Sequence, residues 1–144
     1  MTRCQASLTK RDYEVLANFR ARIRSFLHFS EEEARREGLA PQQHQLLLAV
    51  QGWPGRNWAT VSELSEFLQI KNHSTVGLIN RMAELELVCR KKSEIDHRST
   101  EIHVTPRGEE VLNRLTVTHR RELLELSAEI REMLEALENM ARQS

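Results

Sequence analysis

The chain has 144 residues, with 21 Lys plus Arg against 21 Asp plus Glu, so its formal net charge is zero. Charged residues make up 29% and aromatics 5%, which points to a helix-rich soluble protein and away from a β-sandwich. No apolar run reaches membrane-spanning length, and the opening "MTRCQASLTKRDYEV" lacks the apolar core of a secretion signal, so a cytoplasmic protein with no membrane partner is expected.

Leu8, Val15, Leu16, Phe19, Ile23, Phe26 and Leu27 recur at helical spacing and predict a first helix from Leu8 to Phe29. It is crowded with positive charge: Lys10, Arg11, Arg20, Arg22 and Arg24. "SEEE", Ser30 to Glu33, has capping-box spacing and predicts that the chain restarts there as a short helix, which Gly38 ends. Pro41 suits the first position of the next helix, "PQQHQLLLAV", and "GWPGRN", Gly52 to Asn57, reads as a loop. In "TVSELSEFLQI", Thr60 and Glu63 again have capping-box spacing, with Leu64, Phe67 and Leu68 as the expected buried face.

A break at Gln69 to Lys71 leads into a helix that ends near Glu86. Two short strands follow, "LVCRKK" and "TEIHVT", joined by the turn "SEIDHRS". Thr105 can cap the last helix and Pro106 fits its first position. Within that helix Leu123, Leu126, Ile130, Met133, Leu137 and Met140 step by 3-4-3-4-3, the seam of a helix packed along a partner helix. With Val15 and Phe19 of the first helix, this seam predicts a homodimer. The expected fold is mainly α with a small two-stranded β-wing: one domain over 1–144, with dimerisation helices at 8–38 and 106–144 around a winged helix-turn-helix region at 41–105.

Two short helices joined by a tight turn suggest a helix-turn-helix, whose second helix lies in the major groove of double-stranded DNA. Advancing each residue by about 100 degrees puts Thr75, Leu78, Ile79 and Met82 on one side of that second helix. His73, Gly77, Asn80 and Glu84 fall opposite, with Ser74 and Arg81 at one edge. Glycine inside a helix costs about 1 kcal/mol against alanine, and at the centre of the outward face it lets backbone approach a base pair. Asn80 and His73 can bond base edges, Asn72 or Ser74 can meet a phosphate, and Arg81 is the charged candidate. On the wing, Arg98 at the tip can reach a minor groove and Lys91 and Lys92 the backbone beside it, while Asp96 is expected to organise the turn.

Cys4 and Cys89 lack a CxxC spacing and read as two unpaired thiols. The six histidines form no HExxH, and no glycine-rich phosphate loop is present, so no enzymatic activity, cofactor or metal is expected. Candidate ligand-pocket residues are Tyr13, Arg24, His28, His44, Trp53 and Trp58. Two other readings stand beside DNA binding. The neutral net charge suits a winged-helix module that binds protein, and the thiols would serve a redox-responsive regulator.

The run "VSELSEFLQIKNHSTVGLINRMAELELVCRKKSEIDHRSTEIHVTPRGEEVL" resembles the MarR family of winged helix-turn-helix regulators. The resemblance rests on "VSELSEFL", "HSTVGLINRM", the "LV-R" that opens the wing, the Asp-x-Arg at its tip, and "VTPRG". It implies a dimer whose first and last helices intertwine, a recognition helix at His73–Arg81, and a wing motif at Asp96 and Arg98. It further implies a repressor bound to a pseudo-palindromic operator and released by a small aromatic effector. Two departures are visible: Glu86 stands where such proteins often carry glycine, and His97 and Ser99 occupy wing positions that are often basic.

Overall fold

A computed structural model describes residues 7–143. Five helices and three strands follow in the order α1 (Lys10–Arg36), α2 (Pro41–Gln51), β1 (Trp58–Thr60), α3 (Val61–Leu68), α4 (Asn72–Glu84), β2 (Val88–Lys92), β3 (Thr100–Val104) and α5 (Pro106–Gln143). They form two compact units, one from residues through Ser30 with those from Thr118 on, the other from Glu31–Val117. Cys4 lies outside the described residues.

The restart expected at Ser30 does not occur, because α1 runs unbroken to Arg36. Ser30 spends its hydroxyl sideways: its Oγ lies 2.8 Å from His119 Nε2, and the buried His119 ring sits against Phe26 and Phe29. With neither Gly nor Pro before Gly38, nothing else stops the helix.

Three helices end the same way. Leu39 N–H donates to Ala34 O and Gly38 N–H to Arg35 O, the paired bonds that close a helix through a left-handed residue. Ile70 and Gln69 repeat the pattern on Ser65 and Glu66, and Leu87 and Glu86 repeat it on Met82 and Ala83. The left-handed positions are Gly38 at φ 78°, Gln69 at φ 56° and Glu86 at φ 60°. Glu86 thus occupies a backbone conformation that glycine adopts freely and L side chains resist by about 1–2 kcal/mol. Its carboxylate lies 3.5 Å from the Arg107 guanidinium, an exposed pair of little worth. Glu86→Gly is therefore expected to stabilise the protein by about 1 kcal/mol, after allowing for glycine's unfolded-state entropy. Thermal unfolding checks this: a midpoint raised by about 3 °C is expected, and a lowered one refutes the strain.

The sheet has three strands, not only the two of the wing hairpin, in the order β1-β3-β2 with both pairings antiparallel. The added strand, β1, lays Ala59 opposite Ile102, and both are fully buried. The core of this unit gathers Leu46, Leu47, Val50, Leu64, Ile79, Met82, Ile102 and Leu115. Leu64 is buried as expected and Leu68 partly, but Phe67 is 62% exposed. A helix of eight residues presents too short a face to the core to cover all three.

Both N-caps expected around the helix-turn-helix form, the first as a full capping box. Thr60 Oγ1 accepts from Glu63 N–H at 3.2 Å, and Glu63 Oε1 accepts from Thr60 N–H at 3.0 Å. Thr105 Oγ1 accepts from Gly108 N–H at 3.1 Å at the start of α5, where Pro106 takes the first position. Gly108 is required by packing: a Cβ there would lie 2.2 Å from Leu87 O and 2.7 Å from Val104 Cγ1.

In the other unit, Val15 and Met133 are buried within the unit and line one recess with Arg11, Glu14 and Glu129. Phe19, Leu126, Ile130 and Leu137 are half-buried, and Leu123 is exposed. Leu16, Ile23 and Leu27 make an exposed apolar stripe along α1, and Leu134 lies exposed on the same line of α5 as Leu123.

Candidate nucleic-acid interface

The recognition candidate, α4, is fixed from behind. Thr75, Leu78, Ile79 and Met82 are all buried, as the angular reading expects. A buried hydroxyl pair ties α4 to α3. Ser65 Oγ lies 2.8 Å from both Val61 O and Thr75 Oγ1, and Thr75 Oγ1 lies 3.2 Å from Lys71 O. The two hydroxyl protons fill two of these three contacts at a time, and each hydroxyl keeps a partner in the interior.

The front of α4 is open. Asn72, His73, Ser74, Asn80 and Arg81 are exposed and Gly77 is half-exposed among them. A Cβ on Gly77 would meet the Arg81 guanidinium at 3.5 Å, an ordinary contact. Packing within the fold does not demand glycine here, in contrast to Gly108. Val76, which the angular reading passed over, is 39% exposed and sits within one turn of His73 and Asn80. A branched aliphatic on such a face can meet a thymine methyl group. Its spacing from Asn80, four residues, was the signal for it.

Asn80 is not free. Arg90 of β2 donates through Nη2 to Asn80 Oδ1. The amide acceptor of Asn80 is therefore engaged, while its two N–H donors stay available. A bidentate adenine contact needs both donor and acceptor. As held here, Asn80 and Arg90 present N–H donors beside an amide oxygen that keeps a second lone pair, a set that can meet a base edge or a phosphate. No sequence spacing announces this pair, since it forms across from helix to strand.

The wing tip is braced internally. Ser93, buried, accepts from Ile95 N–H and Asp96 N–H at 3.3 and 3.2 Å through its Oγ. Asp96 Oδ1 accepts from Arg98 N–H at 3.0 Å, and Asp96 O accepts from Ser99 N–H. Asp96 thus shapes the turn, as expected, and leaves the exposed Arg98 side chain outside it. Lys91 and Lys92 are exposed on β2, opposite Glu101 and Thr100 of β3. Between residues 71 and 98 the basic Lys71, Arg81, Arg90, Lys91, Lys92 and Arg98 outnumber Glu84, Glu86, Glu94 and Asp96. A protein neutral overall carries a basic segment at this site.

Glu63, which caps α3, is held below its usual carboxylate range. Burial by itself raises its pKa, but the Thr60 N–H and hydroxyl and the Arg56 guanidinium together outweigh that. A lowered folded-state pKa means that this contribution is present above the unfolded carboxylate pKa and is lost as pH falls through the folded one.

Of the pocket candidates, Tyr13, Arg24 and His28 belong to one unit and His44, Trp53 and Trp58 to the other. Trp53 lines a groove in the winged-helix unit, and Arg24 a smaller recess with Arg20, Ile23 and Leu27 in the other. Tyr13 and His28 are exposed on α1, His44 is buried in α2, and Trp58 stacks against His103. Cys89 is a half-buried free thiol opposite His103. Among the described residues no group of three or more His, Cys, Asp or Glu is placed to hold a metal ion, and no helix is long and apolar enough to cross a membrane.

A sequence model described as the MarR family matches residues 37–99, from the end of the first helix to the wing tip. A candidate transcriptional regulatory protein for the hcr operon of Thauera aromatica is 27% identical over 111 residues. That match covers 77% of this chain and 65% of the relative, so the chain spans just under two thirds of that protein's length. AbsC, a MarR family transcriptional regulator from Streptomyces coelicolor, superposes with a TM-score of 0.70 at 21% identity, covering 96% of this chain and 97% of AbsC. A variant of S. aureus MepR bound to an oligodeoxyribonucleotide superposes at 0.64 and 17% identity, covering 95% of this chain and 99% of that one. At these identities the structural likeness is one of fold, and it extends along nearly the whole chain. The matched segment holds α4 and the wing motif together, and over it the chain is similar to the MarR family of winged helix-turn-helix regulators.

Proposed function

We propose that the protein is a sequence-specific double-stranded DNA-binding transcriptional regulator that grips a pseudo-palindromic operator as a homodimer. The α4 front enters the major groove, and Arg98 reaches the adjoining minor groove. Lys91, Lys92 and Arg90 lie along the phosphates. In the family's manner it acts as a cytoplasmic repressor that a small aromatic effector releases; that part of the reading rests on the resemblance alone. The DNA reading is supported by the MepR relative, which binds an oligodeoxyribonucleotide on the same fold.

The observation that carries the reading is Gly77: a helix-weakening residue on an open face, with room in the fold for a side chain. Its two effects separate in one variant. Gly77→Gln is expected to raise the thermal midpoint slightly, because glutamine is the better helix former by about 0.5 kcal/mol. It is also expected to weaken binding to the preferred duplex at least about tenfold, by holding the helix away from the bases. The preferred duplex comes from selection out of a random pool, where a dimer should enrich two half-sites about one helical turn apart. No enrichment at low salt would sink the DNA reading. Unchanged affinity of Gly77→Gln would sink the role given to the glycine.

A further inference from the structure

The winged-helix unit has an apolar groove that the DNA-facing reading does not use. Leu48 and Ala49 of α2, Trp53 and Pro54 of the following loop, and Phe67 and Leu68 of α3 form its walls. Its volume is about 400 Å³ and no charged side chain lines it. Pockets for small organic ligands run from roughly 300 to 1,000 Å³ and are mostly apolar. Leu48 is 47% exposed and Phe67 62%, so two large apolar side chains stand open on one concavity instead of being scattered.

Beside the groove, acidic side chains outnumber basic ones. A second recess, of about 450 Å³, shares Trp53 and Phe67 with the first and adds Glu63 and Glu66. The two aromatic rings lie 5.8 Å apart, tilted by 59°. Glu63 is compensated, since Arg56 pairs with it and Thr60 donates to it. Arg56 sits over the Trp58 ring at 3.8 Å and farther, at 5.5 Å, over Trp53. Glu66 is exposed and its carboxylate has no ion pair among the described residues. The groove thus ends, across an aromatic pair, at one uncompensated negative charge.

We propose that this groove binds an organic monocation, its aromatic or aliphatic body between Leu48 and Phe67 and its positive charge at Glu66. The apolar walls supply burial, and the ring faces and the carboxylate supply the preference for a cation. An anion of the same shape meets the same walls with the wrong charge. The proposal stands apart from the DNA-binding reading and uses none of its residues.

Tetraphenylphosphonium and tetraphenylborate share a shape and differ in sign, so they separate the two contributions. Calorimetric titration of the full chain is expected to give saturable phosphonium binding at one site per chain, with borate at least about tenfold weaker. Glu66→Gln is expected to weaken phosphonium about fivefold or more and to leave borate no weaker than before. Phe67→Ser is expected to weaken both ions. Both substitutions fall on exposed side chains, and an unchanged circular-dichroism melt confirms that the fold is kept. Absence of saturable phosphonium binding, equal affinity for borate, or a Glu66→Gln variant that binds phosphonium like the parent overturns the proposal.

Discussion

Gly108→Ala is expected to destabilise the protein by about 3 kcal/mol, the upper end for an overpacked core position. A methyl group at this position has nowhere to go. It would stand 2.2 Å from the carbonyl oxygen of Leu87 and 2.7 Å from a methyl of Val104. The first atom is backbone and cannot rotate away. Leu87 O also accepts from Thr105 N–H at 3.0 Å, the bond that docks the start of α5 onto the end of α4. Relief of the clash therefore means parting α5 from the Met82–Leu87 closure of α4, and with it loosening the helix proposed to read DNA. A midpoint lowered by about 10 °C in thermal unfolding is the expected measurement. A variant that melts within 2 °C of the parent would show that the α4–α5 junction yields at little cost. The two glycines in this region then behave oppositely. Gly108 serves the fold, where the gap is closed by the protein itself. Gly77 stands on an open face, where the fold has room for a side chain.

The sequence announced most of this architecture because its signals are local. Thr60 with Glu63, and Thr105 with Pro106, carry their caps within one turn, and both caps form. Thr75, Leu78, Ile79 and Met82 of α4 follow helical spacing and all four are buried. Where the reading went astray, the deciding contact was remote. "SEEE" has the spacing of a helix start, yet Ser30 bonds His119, 89 residues away, and the helix continues. β1 is three residues long, too short for alternation to register, and is created by its register with β3. Phe67 matches the apolar period of α3 but lies past the edge of the core. The candidate interface divides in the same way. The outward face of α4 and the Asp96–Arg98 turn were readable residue by residue. The Arg90–Asn80 pair and the Ser93 brace were not, because each depends on how the strand and turn fold back. For a pocket, residue type alone gives no position: Trp53 lines a groove of the winged-helix unit and Arg24 a recess of the other.

Leu123→Glu combined with Leu134→Glu is expected to convert a dimer into monomers and to reduce operator affinity by about 10²–10⁴-fold. The stripes concerned lie in the unit built from the residues through Ser30 and those from Thr118 on. Val15 and Met133 are already buried there, so the expected seam is partly closed by the chain itself. What stays open is Leu16, Ile23 and Leu27, at steps of seven and four along α1, and Leu123 of the seam with Leu134, eleven apart on α5. Steps of seven and eleven return to nearly the same face of a helix, so each set makes a stripe and not a scatter. Two glutamates on the α5 stripe would place two charges in an apolar interface without partners, which such an interface does not tolerate. They would cost little in a monomer, because both positions are at least 46% exposed. The loss of DNA affinity would come from geometry: one subunit holds one half-site, and the second recognition helix is no longer delivered to its half-site at high effective concentration. Sedimentation equilibrium separates the outcomes. The parent chain should run at twice 16.8 kDa and the double variant at 16.8 kDa. A variant that stays dimeric would remove the α5 stripe from the interface, and a monomeric parent would remove the dimer itself.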